Sequence, residues 1–137
     1  MNATILALLG YIGLIIVLLI WLVTYRSILV TKKTKVANGF KSDGSDVSPF
    51  GQRLTRAQAN AVESFPFIGG LLLLALVANS SVITDSLAFW ILGARLGQVA
   101  VHLVSTSVIA VQIRFVFFLV QIAIAIYWLG LLAYKFI

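Results

Sequence analysis

Four stretches of this chain, each about twenty mostly apolar residues long, leave little choice of solvent. An α-helix rises about 1.5 Å per residue, so roughly twenty apolar residues cross the roughly 30 Å of hydrocarbon in a bilayer. Inside lipid every backbone N–H and C=O must be paired within the protein, which makes helices the natural form for such runs. The runs predict membrane helices at about 5–30, 54–79, 84–107 and 113–135 of a single domain spanning 1–137, with a loop at about 31–53. The first run lacks the basic leader and small-residue cleavage site of a signal peptide, so it is read as a helix. Short breaks such as Asn79-Ser80-Ser81 leave room only for tight antiparallel hairpins. The expected fold class is therefore all-α, an integral membrane four-helix bundle.

Composition excludes the main alternatives. Hydrophobic residues make up 61% of the chain and charged residues 10%, far from the balance of a soluble domain. The formal charge of +6 is not gathered into a basic, aromatic-interleaved stretch, so nucleic acid is not an expected partner. With no cysteine and one histidine, disulfides, a thiolate nucleophile and a metal site are excluded. The loop and its flanks carry Arg26, Lys32, Lys33, Lys35, Lys41, Arg53 and Arg56, whereas the Asn79–Thr84 turn has no basic residue. The positive-inside rule then predicts a multi-pass protein with this loop in the cytoplasm, its lysines touching lipid headgroups. Trp21, Tyr25, Tyr127, Trp128 and Tyr134 are read as interfacial anchors near helix ends.

Polar residues within the apolar runs carry the functional information. A charge at the centre of a membrane helix costs about 2.5–3.5 kcal/mol, so it must face protein or water. On the second helix Arg56, Asn60 and Glu63 are spaced i, i+4, i+7, which stacks them on one face. On the third, Arg95, Gln98 and His102 fall at i, i+3, i+7, and on the fourth Gln121 lies two turns beyond Arg114. Three polar lines are thus expected to turn toward a shared interior. Two readings of Glu63, Arg95 and Asn60 stand side by side: a buried hydrogen-bonded set that fixes helix register, or part of a ligand site. The Gly93-x-x-x-Gly97 spacing would let another backbone approach closely. His102 is read as a packing residue rather than a base, and a lone intramembrane Glu63 excludes paired-carboxylate chemistry. Arginines that grip carboxylates, with Asn60, Gln98 and Glu63 for amide and ammonium groups, suit a small, peptide-like, multiply charged ligand joined to an apolar acceptor.

The second-helix string Arg56-Ala57-Gln58-Ala59-Asn60-Ala61-Val62-Glu63-Ser64-Phe65-Pro66 resembles the signature of the MAPEG family, the membrane-associated proteins of eicosanoid and glutathione metabolism. The four-helix length, basic first loop and polar third helix extend the likeness over nearly the whole chain. The resemblance implies a homotrimer that binds glutathione as cosubstrate between subunits on the cytoplasmic side. It assigns glutathione contacts to Arg56, Asn60, Glu63 and Arg95, with Gln98, His102 and Gln121 as further candidates. It assigns stabilisation of the glutathione thiolate to Arg114. Where the family's synthases carry tyrosines on the third helix, this chain has Gln98 and His102. The expected activity is a glutathione-dependent transferase or peroxidase acting on hydrophobic electrophiles or lipid hydroperoxides. Two other classes remain open: a non-catalytic lipid-binding or structural trimer, and a proton-coupled exporter working through Glu63.

Overall fold

The computed structural model describes residues 2–137 and contains four long α-helices: α1 (Ala3–Thr31), α2 (Pro49–Val77), α3 (Ser81–Val104) and α4 (Val108–Phe136). Each is long and apolar enough to cross a membrane. Local chemistry sets their ends. Asn2 caps α1 by accepting from the Ile5 N–H at 3.2 Å, and Ser48 followed by Pro49 starts α2, the serine hydroxyl accepting from Gly51 at 3.1 Å. Ser107 likewise caps α4 through the Ala110 N–H at 3.2 Å.

These caps lie outside the apolar runs; Ser48 and Ser107 move the expected starts of α2 and α4, and α3 also lies three residues earlier than expected. α2 begins at Pro49 rather than near 54, α3 spans 81–104 rather than 84–107, and α4 begins at 108 rather than 113. Capping residues, not hydropathy, decide where a helix starts once it has left the hydrocarbon. The shift matters for Arg114, which sits in the second turn of α4 instead of in the connecting turn.

Helix α1 packs on both α2 and α3, while α4 lies against α3 with a smaller contact to α2. Two apolar clusters form the core. Ala7, Tyr11, Ile68, Leu72, Ala88, Ile91, Ile124 and Trp128 fill the half toward the short α2–α3 turn. Leu18, Leu22, Leu54, Ala61 and Val99 fill the half toward the long loop. Trp128 is fully buried in the first cluster, not an interfacial anchor as its position in the chain had implied, because it lies on the same inner face as Gln121. Trp21, Tyr127 and Tyr134 are exposed, as anchors require. Gly97 admits the Phe117 ring of α4, where an added Cβ would come within 2.8 Å, whereas Gly93 faces open space. The glycine pair therefore serves one side-chain contact, not a backbone crossing.

Polar links tie the helices together at both ends. Asp85 of α3 accepts from the Thr4 backbone N–H at 2.9 Å and from its hydroxyl at 2.6 Å, so one carboxylate completes the start of another helix. Lys135 near the end of α4 donates to Ser80 at 2.8 Å. At the opposite end the 32–48 connection folds back on the bundle: Tyr25 and Ser48 share a 2.6 Å hydrogen bond, and Lys35 pairs with Asp46 at 2.6 Å. Buried Gly44, at φ +73°, lies on α2 where a Cβ would meet Thr55 at 2.9 Å. Replacing Asp85 by Ala leaves the Thr4 N–H and hydroxyl without their carboxylate acceptor. Asp85→Ala is expected to lose about 1–3 kcal/mol of stability in thermal unfolding of the detergent-solubilised protein, with Asp85→Asn recovering part of it.

Candidate functional site

The loop end of the bundle holds a cleft of about 540 Å³, within the size range of small-molecule sites. Three helices and the loop build it. From α2 come Arg56, Ala59, Asn60 and Glu63, from α3 His102, from α4 Arg114, and from the loop Ser42 and Asp43. The i, i+4, i+7 spacing on α2 puts its three polar residues on one wall, as helix geometry requires. Pro66 lies just beyond Glu63 within α2; having no N–H, it leaves the Val62 carbonyl without its usual helical donor. His102 is buried, Arg114 and Asn60 are half-buried, and Arg56 and Glu63 are exposed. A second void of about 340 Å³ shares Arg56, His102 and Arg114 with the first and adds Gln52, Arg53 and Thr106. Arg53 is held at this edge by donating through Nε to the Leu103 carbonyl at 2.9 Å.

The cleft's charges are not neutralised within the chain. Among the described residues the one salt bridge is Lys35–Asp46, so neither arginine of the cleft has a carboxylate partner. Arg114 also keeps a buried Nε without a hydrogen-bond acceptor. The hydrogen bonds that Asp43 accepts from Ser45, the backbone N–H lying at 3.0 Å, lower its pKa from the ordinary carboxylate value. Two guanidinium groups and two carboxylates around one space suit a ligand that carries both signs of charge.

The remaining sequence-predicted residues lie elsewhere. Arg95, Gln98 and Gln121 form a sealed polar layer between the two apolar clusters, all of them buried. Gln121 donates to the Gln98 amide oxygen at 2.8 Å and to the Phe117 carbonyl at 3.0 Å. Arg95, at 1% exposure, sits about 13 Å in from the end of α3, its guanidinium over the Tyr11 ring at 5.7 Å. All three of its side-chain nitrogens lack an acceptor. Glu63 makes no ion pair with it, so of the two readings of Glu63, Arg95 and Asn60 the register-fixing set does not form. The reason is directional: the Arg56–Asn60–Glu63 face of α2 turns out toward the cleft, while the Ala57, Ala61, Ser64 and Ile68 face turns in toward α1 and α3. Of the three expected polar lines, the one on α2 and the outer members His102 and Arg114 of the other two meet; of the inner members, Gln98 and Gln121 pair with each other and Arg95 lies over Tyr11.

Sequence reasoning missed Ser42 and Asp43, because a loop without periodicity gives no hint of which side chains fold back. It also missed Tyr11, which donates to the Ala61 carbonyl at 2.8 Å and lies beneath Arg95. An apolar first helix with one tyrosine in its early turns was the available signal.

Arg56, Asn60 and Glu63 of the α2 string, His102 of the third helix and the arginine of α4 are thus placed around one cleft in a four-helix membrane chain. The model of the MAPEG family matches residues 4–134. The chain belongs to the MAPEG family. No curated protein matches it in a search of such sequences, and no solved structure does either. Membership covers the full bundle, from the first turn of α1 to the last turns of α4, and agrees with the membrane four-helix architecture.

The Gln98–Gln121 pair gives a direct check on the sealed layer. Gln121→Leu strands the Gln98 amide and is expected to cost about 1–3 kcal/mol, while Gln98→Leu with Gln121→Leu costs less than the two single changes summed. Coupling of about 0.6–1.7 kcal/mol in a double-mutant cycle is the anticipated size for a hydrogen bond between membrane helices. Strict additivity would show that the two amides do not interact.

Proposed function

We propose that this MAPEG protein is a membrane-bound glutathione-dependent transferase or peroxidase acting on hydrophobic electrophiles or lipid hydroperoxides. The observation that supports the reading most is the cleft's charge set: Arg56 and Arg114 without carboxylate partners, facing Asp43 and Glu63 across about 540 Å³. Glutathione has two carboxylates, one ammonium and a thiol, and each finds a counterpart among these groups. Arg56 offers a bidentate donor to a carboxylate, Asn60 pairs with amide groups, and Glu63 and Asp43 accept from an ammonium.

Bound glutathione would supply the sulfur nucleophile, since the chain has no thiol of its own. The protein's part is electrostatic. A guanidinium beside a thiol favours the thiolate and raises its fraction at neutral pH, which is the role given to Arg114, with its buried free Nε. The exposed apolar residues of α4 on either side of Arg114, Val111, Ile113, Phe115 and Val116, provide surface at which a lipophilic acceptor can approach from the bilayer. The site opens at the loop end of the bundle, the end that the positive-inside rule would put in the cytoplasm, and a homotrimer would complete its walls, as the family relationship implies.

A second reading is carried by the sealed layer. Gln98 pairs with Gln121 rather than lining the cleft, where the family's synthases have a tyrosine on α3, and this favours a structural or lipid-holding trimer without turnover. Calorimetry with glutathione on the detergent-purified protein separates the two, followed by conjugation of an electrophilic aromatic halide. Binding is expected, weakened about tenfold or more in Arg56→Ala, the scale of a lost charge-assisted hydrogen bond. Arg114→Ala is expected to lower turnover more than binding. Absence of any heat at millimolar glutathione would overturn the transferase reading in favour of the non-catalytic one.

A further inference from the structure

A separate charged cavity lies against α1 and shares no lining residue with the cleft. It has a volume of about 390 Å³ and is lined by Val23, Arg26, Ser27, Val30 and Thr31 of α1, roofed by Ala37 and Phe40. Val23, Arg26, Ser27 and Val30 follow i, i+3, i+4, i+7, so they form one face of the helix. The same stripe continues away from the loop as Leu19, Ile16 and Ile12, all exposed. From Ile12 to Val23 it runs about 16 Å, close to the hydrocarbon depth of one leaflet. Trp21 and Tyr25 mark the level where hydrocarbon gives way to headgroups, and Arg26 is the next residue.

Among the described residues Arg26 has no anionic partner. Its guanidinium stacks on the Phe40 ring at 5.1 Å, which fixes its plane and leaves its N–H groups for another acceptor. The nearby carboxylate is already committed: Asp46 holds Lys35 at 2.6 Å and accepts from the Lys41 N–H at 3.1 Å. Asp43 belongs to the cleft. Lys32 and Lys33, just past the end of α1, add positive charge with no acidic residue beside them to receive a headgroup cation. We propose that this groove is a selective site for an acidic phospholipid, its phosphate on Arg26 beneath Phe40 and one acyl chain along the Val23–Ile12 stripe. Net negative headgroups are favoured over zwitterionic ones because every charge left unpaired around the groove is positive.

Native mass spectrometry of the protein released from nanodiscs tests this. In equimolar phosphatidylglycerol and phosphatidylcholine the wild type is expected to retain the acidic lipid preferentially. Arg26→Gln should reduce that retention about tenfold, the scale of a charge-assisted hydrogen bond. Ser27→Trp, which fills the groove and keeps every charge, should do the same. Lys41→Gln, one charge fewer on the same loop but off the groove, should leave retention near the wild-type value, and excess inorganic phosphate should not displace the lipid. Equal losses in Arg26→Gln and Lys41→Gln would show a diffuse basic surface and overturn the proposal. So would retention unchanged in Ser27→Trp, or an altered number of subunits in Arg26→Gln with lipid retention unaffected, which would make this face a contact between copies.

Discussion

A guanidinium or carboxylate placed among apolar helices must face protein or water, because the hydrocarbon cannot solvate it. In this chain that constraint divides the polar residues into two groups. Those near the loop end turn outward into a cleft that water can enter: Arg56, Asn60, Glu63, His102 and Arg114, with Asp43 laid over them by the loop. Those deeper in the bundle are sealed between apolar clusters, as Arg95 against Tyr11 and as Gln98 against Gln121. The same rule thus produces a site at one level and a structural layer at the next.

The two layers depend on each other. Tyr11 binds the Ala61 carbonyl, which ties α1 to the inner face of α2 and so fixes the direction of its outer face, one residue away from Asn60. The Gln98–Gln121 bond sets α4 against α3 just below the level of His102 and Arg114. Contacts that never touch the cleft therefore fix the separation of the groups that line it. At the loop, Gly44 against Thr55 and Ser48 against Tyr25 do the same for Asp43.

Much of this was legible in the sequence, for reasons that differ by residue. Twenty-residue apolar runs specify spans with little ambiguity, and the 3.6-residue period puts Arg56, Asn60 and Glu63 on one face whatever surrounds them. Which way that face points is a different question, answered by alanines 57 and 61 and by Ser64, whose small side chains let α1 and α3 approach on the other side. Spacing also cannot tell Gln98 from His102, which share a stripe; only the packing partner, Gln121 for one and the cleft for the other, separates them. Trp128 misleads for a similar reason, since nearness to a helix end marks an anchor only when the residue faces lipid. The loop was opaque because its fold rests on side-chain contacts distant in sequence, such as Lys35 with Asp46 and Phe40 against Arg26.

The division into an open cleft and a sealed layer is the claim on which the proposed chemistry stands, and the absence of native cysteine makes it directly measurable. Single cysteines introduced as Asn60→Cys, Glu63→Cys, Gln98→Cys and Gln121→Cys can be exposed to a charged, membrane-impermeant thiol reagent while the folded protein sits in a bilayer. Fast labelling at 60 and 63 with none at 98 and 121, before unfolding, is the predicted outcome. Inert cysteines at 60 and 63, or labelling at 98 and 121 at the same rate, would contradict it.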